Sequence, residues 1–276
     1  MATVVSTGSA APDRAFPVHV LTVLEPMFVF TFKHRRGVTL FSAIWLSAVL
    51  EPVLYLLALG LGVGSLVNRR ITTDGQTMNY LHFVSPAMLA VSCMSGAISA
   101  SVFSFYTRHK QHGMFRMIST TSITTREIVV GDWLWEILRV SMLSGIFVIV
   151  LALAGLVGIG NAVVAFAATV LINAAFSAVG IGLAMLLRGW QDFDIVTVGQ
   201  TVLFLFSGTF FPVSQYPTWA QVIAELTPLY HAIELLRGIT IGDYSSGMLV
   251  HAGYLVLMTA AGLVFATRRV DADLHA

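Results

Sequence analysis

Few side chains in this sequence could do chemistry, and three of them share one helical face. Asp132, Glu136 and Arg139 stand at i, i+4 and i+7. Two carboxylates at that spacing could pass a proton or serve as an acid–base couple near a membrane interface. Glu136 and Arg139 can also pair, which makes burial tolerable without any catalysis. The face therefore reads first as a structural ion pair near the inner end of a span. Glu51, beside Pro52, lies in the middle of an apolar run. A carboxylate at mid-bilayer costs ~2.5–3.5 kcal/mol on insertion scales, so it must face a partner or water. It is either a hydrogen-bonding group in helix packing or a member of a proton relay. His109 and His112 stand at i, i+3 with no third metal ligand nearby. Cys93 is the only cysteine, so no intrachain disulfide and no cysteine-based zinc or redox site is supported. The only lysines, Lys33 and Lys110, follow Phe32 and His109, so no G-x-x-x-x-G-K-[ST] loop exists to cradle nucleotide phosphates. No catalytic or metal site is assigned.

The elements that must position these residues are membrane helices. The chain has 276 residues, is 57% hydrophobic and only 11% charged, and its mean hydropathy is +0.83. Soluble domains carry roughly 25% charged residues, so this is an all-α polytopic membrane protein. A formal net charge of +1 gives no reason to expect a nucleic-acid partner. Residues 1–17 read as a disordered cytoplasmic leader, lacking the basic start and apolar core of a signal peptide. Residues 18–269 read as one transmembrane domain and 270–276 as a cytoplasmic tail. From Val18 to Arg36, Val20, Val23, Leu24, Met27 and Phe28 fall at helical spacing before Lys33-His-Arg-Arg36. That pattern suits an amphipathic helix lying in the inner membrane interface, or a cytoplasmic extension of the first span.

Six spans are expected, at about 38–66, 80–106, 128–157, 162–187, 191–211 and 247–267. Asn68 to Asn79 reads as a polar loop. The second span is rich in small hydroxyl residues, which indicates packing against protein on most sides. The longest basic connection, Arg108 to Glu127, contains Met114, Phe115, Met117 and Ile118 in a short amphipathic turn or two. Such a face could dock a soluble partner, methionine being adaptable at such surfaces, or bury itself among headgroups. Thr124 and Glu127 then match a capping box that opens the third span.

The fifth span begins with Asp192 and Asp194 and runs uncharged to Phe211, where Pro212 is expected to stop it. Thr218 and Gln221 match a second capping box, with Trp219, Val222, Ile223 and Leu226 at i, i+3, i+4 and i+7. Thr227 can cap another helix, Pro228 suits its first position, and Gly238 can end it. One span followed by two short helices reads as an outer re-entrant hairpin, held by protein or lying at the interface. Phe206, Phe210, Phe211, Pro212, Trp219 and Tyr230 are the residues expected to form an outer gate. Pro212 should turn Trp219 back toward the phenylalanines. Of the 15 Lys and Arg residues, all but Arg69, Arg70, Arg139 and Arg237 fall in segments read as cytoplasmic. The positive-inside rule then places both termini in the cytoplasm of a cell-membrane protein.

With these segments in view, the chain resembles the membrane subunits of type-2 ATP-binding-cassette exporters. It is most like the permeases of nodulation-factor, polysaccharide and drug export. The resemblance rests on Leu50-Glu-Pro-Val-Leu-Tyr55, Tyr80 to Pro86, Met114-Phe-Arg-Met117 and Phe206-Ser-Gly-Thr-Phe-Phe-Pro212. Trp219, Pro228-Leu-Tyr-His231 and Arg237-Gly238 add to it. It implies a permease, not an enzyme, with a cytoplasmic coupling helix and a second permease subunit, identical or paralogous. It also implies a separate ATPase subunit that binds ATP and Mg, for which His112 to Thr121 is the candidate contact. The substrate expected from a path of Ser, Gly, Phe and Met is hydrophobic, lipid-linked or drug-like. A secondary carrier would show repeats and an ionisable relay, and a membrane-embedded transferase would show clustered acids. Here no repeat is visible, and Asp132 with Glu136 is the only such cluster.

Overall fold

The computed structural model describes residues 50, 54, 57–58, 71–73, 76–111 and 124–274. The leader 1–17, the interface segment 18–36, Glu51, and Met114, Phe115, Met117 and Ile118 lie outside the described residues. Within the expected first span, Leu50, Leu54, Leu57 and Ala58 are helical and exposed.

Two short strands, β1 (Ile71–Thr73) and β2 (Gln76–Met78), pair antiparallel with Ile71 opposite Met78 and Thr72 opposite Thr77. The stretch read as a polar loop thus contains a small β-ribbon, a departure from a purely helical chain. Its sequence signal was Asp74-Gly75 between threonine-containing segments, one of the dipeptides favoured in two-residue hairpin turns. Among the described residues seven α-helices follow: α1 (Tyr80–Tyr106), α2 (Thr125–Leu153), α3 (Ile159–Leu186), α4 (Phe193–Phe206), α5 (Thr218–Leu226), α6 (Pro228–Ile241) and α7 (Gly247–Leu274). Among the described residues, α1 with its continuation to Lys110, α2, α3 and α7 are long and apolar enough to cross a membrane. The chain is a multi-pass membrane protein.

The ends of α1, α3 and α7 meet the start of α2, so the bundle has two ends. One carries Arg108 to Lys110 and the start of α2, and is called the charged end. The other carries α5 and α6, and is called the hairpin end. At the charged end α2 begins with a complete capping box, Glu127 N–H donating to Thr124 Oγ1 and Thr124 N–H to Glu127 Oε2 at 2.7 Å. Helix α3 is the centre of the packing, touching α1, α2, α6 and α7. Its Gly180 lies so close to α1 that a Cβ there would sit 2.9 Å from Ser101 Cβ and 3.2 Å from Ile98 O. In a membrane such close backbone approach replaces the hydrophobic drive that holds soluble helices together. Polar groups add to it: Asn173 Nδ2 donates to Ser141 and Ser144 Oγ at 3.2 and 3.0 Å, and Trp133 Nε1 donates to Ala174 O at 2.9 Å. These bonds fix α2 on α3.

Several boundaries differ from expectation for local reasons. The turn before α3 comes earlier than Gly158–Asn161: Gly158 is already the N-cap, and the chain turns through Ala154 and Gly155. Helix α7 continues beyond 267 through residues read as a tail, because Thr125, His109 and their neighbours give it partners there. The fifth expected span, 191–211, contains only the 14 residues of α4, about 21 Å of helix. It ends at Phe206, well before Pro212. Ser207 Oγ donates to Leu203 O at 2.6 Å and Thr209 Oγ1 to Phe204 O at 2.8 Å, so hydroxyls satisfy the terminal carbonyls. Gly208 then turns the chain at φ 72°, a left-handed conformation that glycine adopts without steric cost.

Candidate functional site

The charged end is built on three consecutive side chains. Past Tyr106, α1 widens into a π-type turn, Thr107–Gln111. Arg108 pairs with Asp132, reaches Glu136 at 3.4 Å and donates to Ser104 Oγ at 3.2 Å. Arg139 pairs with the other oxygen of Glu136. His109 Nε2 lies 2.8 Å from Asp273 Oδ2, and Lys110 donates to the carbonyl of Leu187. Arg108, His109 and Lys110 therefore bind α2, α7 and the end of α3 in turn. Thr125 Oγ1 adds a 3.1 Å bond to Asp271, closing α2 onto α7. We call this arrangement the clasp.

Its chemistry is that of a joint. Both carboxylate side chains are fully buried, while Arg108 and Arg139 are 15% and 27% exposed, so the negative charges lie out of water and the cations only partly so. Two guanidinium groups meet two carboxylates, which leaves the cluster neutral overall. Removing one member of such a set strands another, the condition under which buried charge becomes costly. Asp132 and Glu136 are both held by arginine, which carries its charge throughout the physiological range, so each carboxylate is engaged in an ion pair. His109 is engaged by Asp273, and among the described residues no three His, Cys, Asp or Glu side chains cluster for a metal. The sequence pattern brought Asp132, Glu136 and Arg139 together, and here they meet. It missed Arg108, read only as a marker of a basic loop. The available signal was Asp132 itself, which needs its own cation and lies opposite Arg108 on the neighbouring antiparallel helix.

The hairpin end is held differently. The expected box at Thr218 does not form: Pro217 is the N-cap of α5, its carbonyl accepting from Ala220 and Gln221 at 2.8 and 3.0 Å. Gln221 Nε2 donates backward to Tyr216 O at 2.8 Å instead, since Pro217 offers no N–H. Thr227 does cap α6, accepting from Tyr230 N–H at 3.3 Å, and it shares a 2.8 Å bond with Ser207 at the end of α4. Helix α6 runs past Gly238 and ends at Ile241, where Gly242 takes the left-handed turn. Arg237, buried on α6, pairs with Glu234, donates to Gly208 O at 3.4 Å and lies 4.0 Å above the Phe83 ring of α1. One side chain thus links α6 to α1 and to the turn that follows α4.

The outer aromatic cluster expected from sequence does not close within one chain. Phe210 packs edge-on against Phe204 at 5.1 Å, and Pro212 is buried. Phe206, Phe211 and Trp219 are 51%, 58% and 68% exposed. Trp219 makes no ring contact with the phenylalanines among the described residues. Only Ala224 of α5 is buried, so the stripe of Trp219, Val222, Ile223 and Leu226 points away from the bundle. Tyr230 meets the rings of His231 and His251 instead.

Comparison with known proteins places this architecture. Residues 34–241 match the family described as ABC-2 type transporter. The chain belongs to the ABC-2 type transporter family. Nodulation protein J of Rhizobium leguminosarum bv. viciae is 28% identical over 218 residues, 79% of this chain and 82% of that protein. Nodulation protein J of Rhizobium meliloti (strain 1021) is 27% identical over 224 residues, with the same coverage of 79% and 82%. Nodulation protein J of Neorhizobium galegae is 25% identical over 228 residues, 80% and 84% of the two chains. As an ABC-2 transporter the chain is a transport permease. The matched region includes Arg108, both clasp carboxylates and the hairpin, while α7 lies beyond it.

Proposed function

We propose that this ABC-2 permease is the membrane subunit of an ATP-binding-cassette exporter. It moves a hydrophobic, lipid-linked or drug-like molecule out of the cytoplasm, and ATP with Mg is bound and hydrolysed on a separate subunit. In this reading six spans place both termini and the charged end in the cytoplasm, and the hairpin faces outward. Two permease subunits, identical or paralogous, enclose the path within the cell membrane. Their exposed Phe206, Phe211 and Trp219 face one another at the outer end, with Phe210, Pro212 and Tyr230 behind them. Glu51 is a packing group of the first span.

The observation that carries the reading is the position of the clasp. Arg108, His109 and Lys110 immediately precede His112 to Thr121, the segment proposed to dock the ATPase. Movement imposed on Met114, Phe115, Met117 and Ile118 would reach α2, α3 and α7 through adjoining residues. The test is Phe115→Asp in the reconstituted complex. The permease is expected to assemble in the membrane while substrate-stimulated ATP hydrolysis is lost. Unchanged stimulated turnover would remove this segment from the mechanism.

A further inference from the structure

A cluster of four rings joins α6 to α7, and neither the clasp nor the proposed docking segment uses it. His231 on α6 and His251 on α7 face each other with their Nδ1 atoms 2.8 Å apart. At that distance one nitrogen donates and the other accepts. Tyr254, on α7, stacks on His231 with centroids 3.9 Å apart and planes inclined by 26°. Its hydroxyl donates to Leu226 O, at the end of α5, at 3.0 Å. Tyr230 sets its ring across both imidazoles at 5.7 and 6.0 Å. The two hairpin helices and α7 therefore converge on one hydrogen bond between two titratable rings.

The proton count of that bond decides whether it exists. With both rings neutral, one tautomer donates Nδ1–H to the bare Nδ1 of the other. A first proton leaves the bond in place, now with a charged donor. A second proton puts N–H on both Nδ1 atoms, so two donors and two positive charges face each other at contact distance. Other groups do little to offset that. Glu234, on the turn after His231, lies within electrostatic reach of His251 but is paired with Arg237. Helix α3, packed against both α6 and α7, carries no ionisable side chain. Tyr80 and His82 of α1 make no hydrogen bond or ring contact with the pair among the described residues, and Glu225 of α5 is exposed. Burial, and then the adjacent His251, hold the His231 imidazole of this short helix below its ordinary value. The bond is thus intact at neutral pH and is lost as pH falls below the usual imidazole range.

We propose that His231 and His251 form a proton-operated latch, which holds the hairpin on α7 until both rings are protonated. The latch rests on this geometry alone; its effect on export rests on the exporter reading above. The test uses spin labels at Glu225→Cys on α5 and Leu249→Cys on α7, in the full chain with Cys93→Ala, reconstituted in lipid. The close-distance population is expected to fall at least about twofold between about pH 7.5 and about pH 4, a scan that extends below the usual imidazole range. The pair His231→Gln with His251→Gln keeps hydrogen-bonding side chains that take no proton, and should give one distribution at both pH values. If that pair fails to assemble, His251→Gln alone decides, because its single imidazole cannot create the doubly charged state. A pH response that is absent with the native histidines, or one that persists in the His231→Gln with His251→Gln pair, would overturn the latch. A pH-dependent distance with pH-independent export would keep the latch and remove the hairpin from gating.

Discussion

At the charged end, Arg108 and Arg139 hold two carboxylates that have no access to water, and His109 and Lys110 reach two further helices. At the hairpin end, hydroxyls bond hydroxyls and carbonyls, aromatic rings stack, and the buried Arg237 faces a carboxylate that is 22% exposed. The contrast concerns how each end can fail. A buried charge set breaks all at once, since a lone charge left in the interior is strongly unfavourable. Neutral contacts can be exchanged one at a time, each for water or another partner. The charged end is therefore suited to carry displacement without deforming, and the hairpin end to rearrange.

Four substitutions test that contrast. Arg108→Leu strands Asp132, leaves Glu136 with Arg139 alone and should cost about 3–5 kcal/mol, the scale of a broken buried pair. Denaturant unfolding in detergent measures it, and adding Asp132→Leu should recover part of the loss. A cost near zero would abolish the distinction between the two ends. Arg237→Leu should cost less, about 1.5–3 kcal/mol for a charged hydrogen-bonding group, because Glu234 retains water. A loss equal to that of Arg108→Leu would show that both ends depend on buried charge. Thr227→Val removes the cap of α6 and the bond to Ser207, worth about 1 kcal/mol. Faster amide exchange confined to the first turn of α6 is the expected signature. Trp219→Ala should stay within about 0.5 kcal/mol in the unfolding assay, since the ring is largely exposed. Any larger loss would mean that α5 is packed, and the hairpin would no longer count as the adaptable end.

Hydropathy and period made the long helices legible. Helix α1 occupies the residues expected for the second span, and Thr124 with Glu127 marked the start of α2. The face of Asp132, Glu136 and Arg139 was legible because helical spacing is local information. Arg108 was not, because its pairing spans 24 positions and depends on how two helices lie together. The end of α4 was misplaced because Ser207, Gly208 and Thr209 terminate the helix before proline can. Amphipathic spacing gave α5 an apolar face without saying what that face would meet. Its direction shows only in the structure, where Ala224 is the one residue of α5 that is buried.

The bonds from Asp271 and Asp273 to Thr125 and His109 have a consequence for synthesis. Membrane helices are delivered in the order in which the ribosome makes them. Helix α7 follows every other described element, yet it supplies contacts to the end of α1 and the start of α2. Until α7 arrives, His109 lacks Asp273 and the clasp is open on one side. Completion of the charged end therefore comes last, and a nascent chain interrupted before Asp271 has α1, α2 and α3 joined there but lacks the two bonds to α7.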